Sequence, residues 1–177
     1  MRHIISILLQ NQAGALTRVA GLFSTRGYNI ESLSVAPTED ESVSRLTVVA
    51  HGSQAVVAQI KRQVLKLVDV VDLMDMTAGE HIERELLLLK LRARGKVREG
   101  VRELAARHHA QLIDDTETIY TLQMEGTGEQ VSALIKEAQT VAEILEVVRS
   151  GATAIAQGDK VLRLTPQQSL VNITETD

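Results

Sequence analysis

One order of strands and helices occurs twice along this chain and constrains its fold more than any other feature. In the first half, the apolar run at residues 4–9 predicts a buried strand, and a helix follows. That helix carries its apolar side chains at the spacing i, i+3, i+4 and i+7: Leu16, Val19, Ala20 and Phe23. Alternating residues predict two further strands at 29–36 and 46–50. A helix begun by Ser53 and a strand over 68–76 complete the order β-α-β-β-α-β.

The second half repeats this order after residue 77. It predicts a strand over 85–92, a helix with an apolar stripe from Val97 to His108, and two short strands. Thr127 and Gln130 have the spacing of a capping box for the next helix, and residues 144–148 form the last strand. Each copy is a ferredoxin-like unit, an antiparallel sheet with both helices on one face. The predicted fold class is therefore α+β with two βαββαβ domains.

These patterns set the expected domain boundaries. We predict a first domain over 1–77, a second over 78–164 and a flexible tail over 165–177, which has little periodicity. Gly27 has the position of a left-handed cap at the end of the first helix. A ferredoxin-like half of about 75 residues buries little apolar surface alone, so we also expect the chain to form an oligomer.

Composition excludes several classes of protein. The 177 residues include no cysteine, so disulfides, thiol nucleophiles and zinc ribbons are impossible. The net charge is −4 and aromatic residues make up 2%, which argues against nucleic-acid binding. The first apolar run is too short for a membrane span or a signal peptide. We expect a cytoplasmic protein that binds neither nucleic acid nor membrane.

Candidate catalytic residues are sparse. None of the 5 histidines has a second histidine at metal-ligand spacing on one helix face, and His108 and His109 point apart because they are adjacent. The sequence therefore predicts no metal site and no catalytic residue, which disfavours a small ferredoxin-like enzyme. The charged run from Arg92 to Arg107 is typical of a solvated helix face with i,i+4 ion pairs, with partner docking as the alternative.

The turn between the first strand and the first helix is the most informative segment. Residues 11–16 deliver a helix N-terminus, whose first amides lack intrahelical acceptors and attract carboxylates. Gly14 leaves the backbone open to a ligand, and the amides of Asn11 and Asn29 can bond an ammonium or a carboxylate. The pattern fits an amino-acid ligand. It equally fits a tight turn capped by asparagine, and the residues alone leave both interpretations open.

Longer segments resemble a known family. Residues 8–19, 21–23 and 26–33 closely resemble the amino-terminal ACT domain of the regulatory, or small, subunit of acetolactate synthase, also called acetohydroxyacid synthase. The resemblance continues through residues 37–40, 63–69, 83–86, 146–151 and 158–160. It covers nearly the whole chain to about residue 163, and the ordered set of motifs is specific.

The resemblance implies a non-catalytic subunit that binds the catalytic subunit, raises its activity and confers feedback inhibition by valine in branched-chain amino-acid biosynthesis. The chain itself would hold no cofactor; thiamine diphosphate, Mg and FAD are expected on the catalytic partner. In the family, the effector lies between two ACT domains of a homodimer. The implied valine site takes Asn11, Gly14, Ala15 and Leu16 from one subunit and Asn29 and Ile30 from the other.

One alternative stays open at this point. A stand-alone ACT-type sensor would bind an amino acid for another enzyme or regulator and would not activate an acetolactate synthase.

Overall fold

The computed structural model describes residues 1–25 and 28–164. The chain packs as two compact units, of which the first combines residues 1–82 with residues 154–164 and the second spans Glu83–Thr153. The predicted helix cap at Gly27 and the predicted tail over 165–177 lie outside the described residues.

The first unit has one four-stranded antiparallel sheet and two helices. Its elements are β1 (Arg2–Gln10), α1 (Ala15–Thr25), β2 (Ile30–Pro37), β3 (Val43–His51), α2 (Gln54–Val64) and β4 (Val70–Asp75), with a 3₁₀ turn over Met76–Ala78. The strand order is β2-β3-β1-β4, so β2 and β4 form the edges. This is the predicted βαββαβ unit.

The second unit repeats the arrangement. Its elements are β5 (His81–Arg92), α3 (Val97–Arg107), β6 (Gln111–Asp115), β7 (Ile119–Gly126), α4 (Gly128–Val141) and β8 (Glu143–Arg149). The strand order is β6-β7-β5-β8. A short strand that the sequence did not predict, β9 (Thr153–Ala156), pairs with β5, and its last three residues belong to the first unit. The predicted fold class, two antiparallel βαββαβ units, is confirmed.

Both cores lie between a sheet face and two helices, as the alternation of side chains requires. In the first unit, α1 contributes Ala15, Val19 and Phe23 to this core, and the facing strand residues include Ile5 and Ile7. In the second unit, the inward residues of the leucine run and of β7 pack against α3 and α4: Leu87, Leu89, Leu91, Tyr120, Leu122 and Met124. In α1, Val19 and Phe23 of the predicted stripe face the sheet, but Leu16 is exposed and Ala15 contributes to the core in its place.

The other face of the first sheet is covered by residues that follow the second unit. Leu162 packs with Leu8 of β1 and Val43 of β3, and Leu164 lies against the same cluster. The sequence assigned these residues to a second domain running to residue 164. The structure returns residues 154–164 to the first unit, because apolar side chains on both faces of β1 must be kept from water.

The helix starts differ in how they are capped. Ser53 caps α2 by accepting a hydrogen bond from the Val56 amide, and Thr127 and Gln130 form the predicted capping box at α4. α3 has no side-chain cap, and α1 follows Gly14, which has no side chain to offer. Among the described residues, no helix combines the length and apolarity needed to cross a bilayer.

Candidate functional site

The β1–α1 turn, residues 11–14, is held by backbone hydrogen bonds and ends on a glycine with positive φ. The Ala15 amide donates to the Gln12 carbonyl at 3.2 Å, and the Arg18 amide donates to the Gly14 carbonyl at 3.0 Å. Gly14 has a φ of +85°, in the left-handed region that side-chain-bearing residues rarely adopt. The turn therefore delivers the first residues of α1 with Gly14 exposed to solvent.

Several amides at this helix start remain available to a ligand. Within residues 1–25 and 28–164, no group accepts a hydrogen bond from the amides of Gly14, Leu16 or Thr17. Unpaired amides and the positive end of the helix dipole together favour a negatively charged group. A carboxylate is thus a suitable ligand for this turn.

Asn11 connects the turn to the loop before β3. Its backbone amide donates to the Ser42 carbonyl at 2.7 Å, and its side-chain Nδ2 donates to the Glu41 carbonyl at 3.0 Å. The side-chain donor predicted to face a ligand is therefore already in use. Its Oδ1 atom accepts from no described residue, so Asn11 can still accept a hydrogen bond from an ammonium group.

The next two residues have separate roles. Ala15 is 1% exposed and belongs to the core, and its amide is bonded within the turn. Leu16 is 37% exposed and is the large apolar side chain beside the free amides. Leu16 can therefore contact the hydrocarbon part of a ligand, whereas Ala15 shapes the turn.

Asn29 and Ile30 lie far from this turn within one chain. Ile30 pairs with Ala50 in β3, and Ala50 pairs with His3 near the start of β1. The turn follows Gln10 at the opposite end of that strand, seven residues from His3. Because a strand rises about 3.3 Å per residue, the two groups are separated by about 20 Å. The structure brings Asn11, Gly14, Ala15 and Leu16 together but not Asn29 and Ile30.

An ion pair beside the turn was not predicted. Asp69, directly before β4, has a side chain only 4% exposed, and it accepts hydrogen bonds from Nε of Arg18 and, at 2.7 Å, from Nη2 of Arg18. These hydrogen bonds hold the pKa of the Asp69 carboxyl below its usual value, although burial opposes the shift. One signal was available: Arg18 follows Gly14 by four residues, which places it over the same turn of the helix.

The described residues contain no cluster of three or more histidine, aspartate or glutamate side chains that could hold a metal ion. The free amides and the exposed Leu16 of the turn would suit an anion that carries an apolar group.

Comparisons with known proteins identify the family. Residues 5–72 match the AHAS small subunit-like ACT domain, and residues 84–158 match the small subunit of acetolactate synthase. The chain belongs to the acetolactate synthase small-subunit family. Small subunits of this family are regulatory chains, so the predicted class, a non-catalytic subunit with an ACT domain, is confirmed.

Relatives match over almost their whole length. The chain is 47% identical over 163 residues to the acetolactate synthase isozyme 3 small subunit of Salmonella typhimurium, covering 92% of this chain and 100% of that protein. It is 46% identical to the protein of the same name from Escherichia coli, with the same coverage. The structure is also similar to a crystal structure of the acetolactate synthase small subunit from Thermotoga maritima, with a TM-score of 0.81 and 28% sequence identity. The match covers 90% of this chain and 99% of that chain.

Proposed function

We propose that this chain binds the catalytic subunit of an acetolactate synthase, raises its activity and makes it sensitive to valine. Valine would bind at the β1–α1 turn, between two copies of the ACT domain in a homodimer. Thiamine diphosphate, Mg and FAD would belong to the catalytic partner. Family membership supports the regulatory role, and the free amides of the turn support a carboxylate effector.

The distance between the turn residues and Ile30 is the main support for a site shared between two copies of the chain. Asn11 and Gly14 follow one end of β1, whereas Ile30 pairs with Ala50 of β3 at the level of the other end of β1, about 20 Å away. A molecule the size of valine cannot touch both groups within one chain. A second copy can supply Asn29 and Ile30 to the first copy's turn, which makes the dimer a requirement for binding.

Each part of valine has a matching group at the turn. The carboxylate would accept hydrogen bonds from the amides of Gly14 and Leu16, at the positive end of α1. The ammonium would donate to Oδ1 of Asn11 or to Asn29 of the second copy. The branched side chain would lie against Leu16, which is 37% exposed, and Ile30 of the second copy.

The coupling follows from linkage. A ligand bound across two subunits stabilises the dimer arrangement that forms its site. If the catalytic subunit is activated by a different arrangement, valine and the catalytic subunit oppose each other, and each weakens the effect of the other.

The first test is acetolactate formation by the cognate catalytic subunit, with and without this chain, across a valine titration. We expect activation that valine reverses. Activation without valine sensitivity would retain the subunit role and reject the effector site. Valine binding without activation would instead favour the stand-alone sensor.

A second test addresses the shared site. Gly14→Asp and Asn29→Ala chains, carrying different affinity tags, are co-expressed and the mixed dimer is purified. One of its two sites then carries both substitutions and the other carries neither. Calorimetry should detect one valine per mixed dimer and none in either mutant homodimer. A mixed dimer that binds no valine would contradict a site built from two copies.

A further inference from the structure

The Arg18–Asp69 pair fixes a guanidinium group beside the β1–α1 turn. The Asp69 side chain is buried, and its backbone carbonyl accepts from the Gln10 amide at 2.8 Å, which anchors it at the end of β1. Two hydrogen bonds join its carboxylate to Nε and Nη2 of Arg18. Such a two-point contact determines the plane of the guanidinium as well as its position.

The remaining nitrogen of Arg18 lies against Gly14. Nη1 is 2.9 Å from the point where a Cβ atom at Gly14 would stand. It donates to no acceptor among the residues that the structure describes. Of the five N–H groups of the guanidinium, Asp69 occupies two, so both N–H groups of Nη1 are available on the ligand side of the pair.

We infer that Arg18 binds the effector carboxylate through Nη1 and that Asp69 positions it for this contact, an inference that rests on the proposed function. The carboxylate would then meet a charged donor in addition to the amides of Gly14 and Leu16. Hydrogen bonds from charged donors contribute more than those from neutral ones. Arg18 would thus select ligands with a free carboxylate over neutral analogues of the same shape.

The test is calorimetric titration of the full-length chain with L-valine and with L-valinamide, which lacks the carboxylate charge. The wild type should bind valine about tenfold or more tightly than valinamide. Arg18→Gln should weaken valine binding by about tenfold or more and valinamide binding by less than about threefold, so that the preference is lost. Asp69→Asn should reduce the preference less, because the guanidinium remains but is held loosely.

Arg102→Gln is the matched control. Arg102 is 45% exposed against 46% for Arg18, and it also pairs with an aspartate, Asp115, at 3.0 Å in the second unit. Arg102→Gln should leave the affinities for valine and for valinamide unchanged. If Arg18→Gln does not fold, Arg18→Lys keeps the charge beside Asp69 but loses the second donor edge, and it should also lose the preference for valine.

The outcomes separate this inference from the proposed function. A wild-type chain that binds no valine would overturn both. A folded Arg18 variant that weakens both ligands equally would show a structural role alone and overturn the inference. An unchanged preference for valine would overturn it as well, while leaving the valine site in place.

Discussion

The first βα turns of the two units, residues 11–14 and 93–96, have the same length and differ in backbone conformation and in chemistry. After β1, the Asn11 amide donates to the Ser42 carbonyl; after β5, the Ala93 amide donates to the Thr118 carbonyl in the same way. Each turn contains a glycine with positive φ, +85° at Gly14 and +58° at Gly95. The glycines stand at different positions, however: Gly14 directly precedes α1, whereas Gly95 is one residue further from α3. Lys96, which directly precedes α3, has a φ of −66°.

Their side chains set them apart. The first turn carries the neutral amide side chains of Asn11 and Gln12. Gly14 lies against Arg18, which is already paired with the buried Asp69. The second turn is basic, with Arg94 and Lys96 on either side of Gly95. Apart from these two neighbours, no atom of the residues described lies within 4 Å of a Cβ placed at Gly95. A turn at the same place in a repeated fold therefore does not imply a repeated site, because recognition depends on the backbone and side chains of that turn.

The largest expected effect is a difference between aspartate substitutions at Gly14 and at Gly95. Gly14→Asp should weaken valine inhibition by about 30-fold or more, roughly 2 kcal/mol, because the new carboxylate would pair with Arg18 and repel the effector. Gly95→Asp is the control, since it also places an aspartate at a positive-φ glycine in the first βα turn of its unit, but away from Arg18. Inhibition curves for both reconstituted enzymes make the comparison. Equal valine sensitivity of the two folded variants would contradict the proposed site.

A smaller effect concerns the helix caps. Thr127→Ala should lower the free energy of unfolding by about 1 kcal/mol, because it removes the hydroxyl that accepts from the Gln130 amide at 3.3 Å. Ser53→Ala should cost about as much, since the Ser53 hydroxyl accepts from the Val56 amide at 3.4 Å. Urea denaturation measures both. A variant as stable as the wild type would contradict the capping role of its residue.

Arg98, in the first turn of α3, stabilises the core of the second unit through Tyr120. Arg98 donates from Nε to the hydroxyl of Tyr120 at 2.5 Å, and Tyr120 is 0% exposed. Tyr120→Phe should therefore cost about 0.5–1 kcal/mol of stability and leave valine inhibition unchanged. Arg94→Gln, at an exposed position of the same turn, should change neither quantity. Altered valine inhibition in Tyr120→Phe would show that the second turn also affects the effector response.

The smallest effect is a pH dependence. Because the pKa of Asp69 is lowered in the folded state, Asp69 stabilises the fold above about pH 4, and this contribution is lost as pH falls through the folded pKa. The effect is modest because Arg18 is half exposed to water. Asp69→Asn should lose less stability than the wild type between about pH 5 and pH 3. If the urea midpoints of the two proteins fell by the same amount across that range, this role of Asp69 would be contradicted.

Much of the fold could be predicted because it depends on local spacing. The stripe through Val19 and Phe23 places one face of α1 in the core, and the spacing of Thr127 and Gln130 gives the capping box that the structure has. The family motif located the β1–α1 turn in the same way. These features involve residues only a few positions apart, whose neighbours are fixed by helix or strand geometry.

Charge pairing could not be predicted in this way. The basic run of α3 indicated i,i+4 pairs within the helix. In the structure, Arg102 pairs with Glu99 of α3 at 3.8 Å, at the spacing i,i+3, and more closely with Asp115 of β6 at 3.0 Å. Arg107 pairs with Glu137 of α4 at 2.5 Å. Long side chains reach whatever carboxylate the packing brings near them, and that choice depends on the whole unit.

The sequence by itself determined the two βαββαβ units, the inward faces of their helices and the position of the glycine turn. Only the tertiary structure decided that Asp69 meets Arg18, that Leu162 returns to the first sheet, and that Ile30 lies about 20 Å from Gly14. Helix and turn geometry act over a few residues, so a pattern records them. Contacts between distant residues depend on strand order and register, which no local spacing contains.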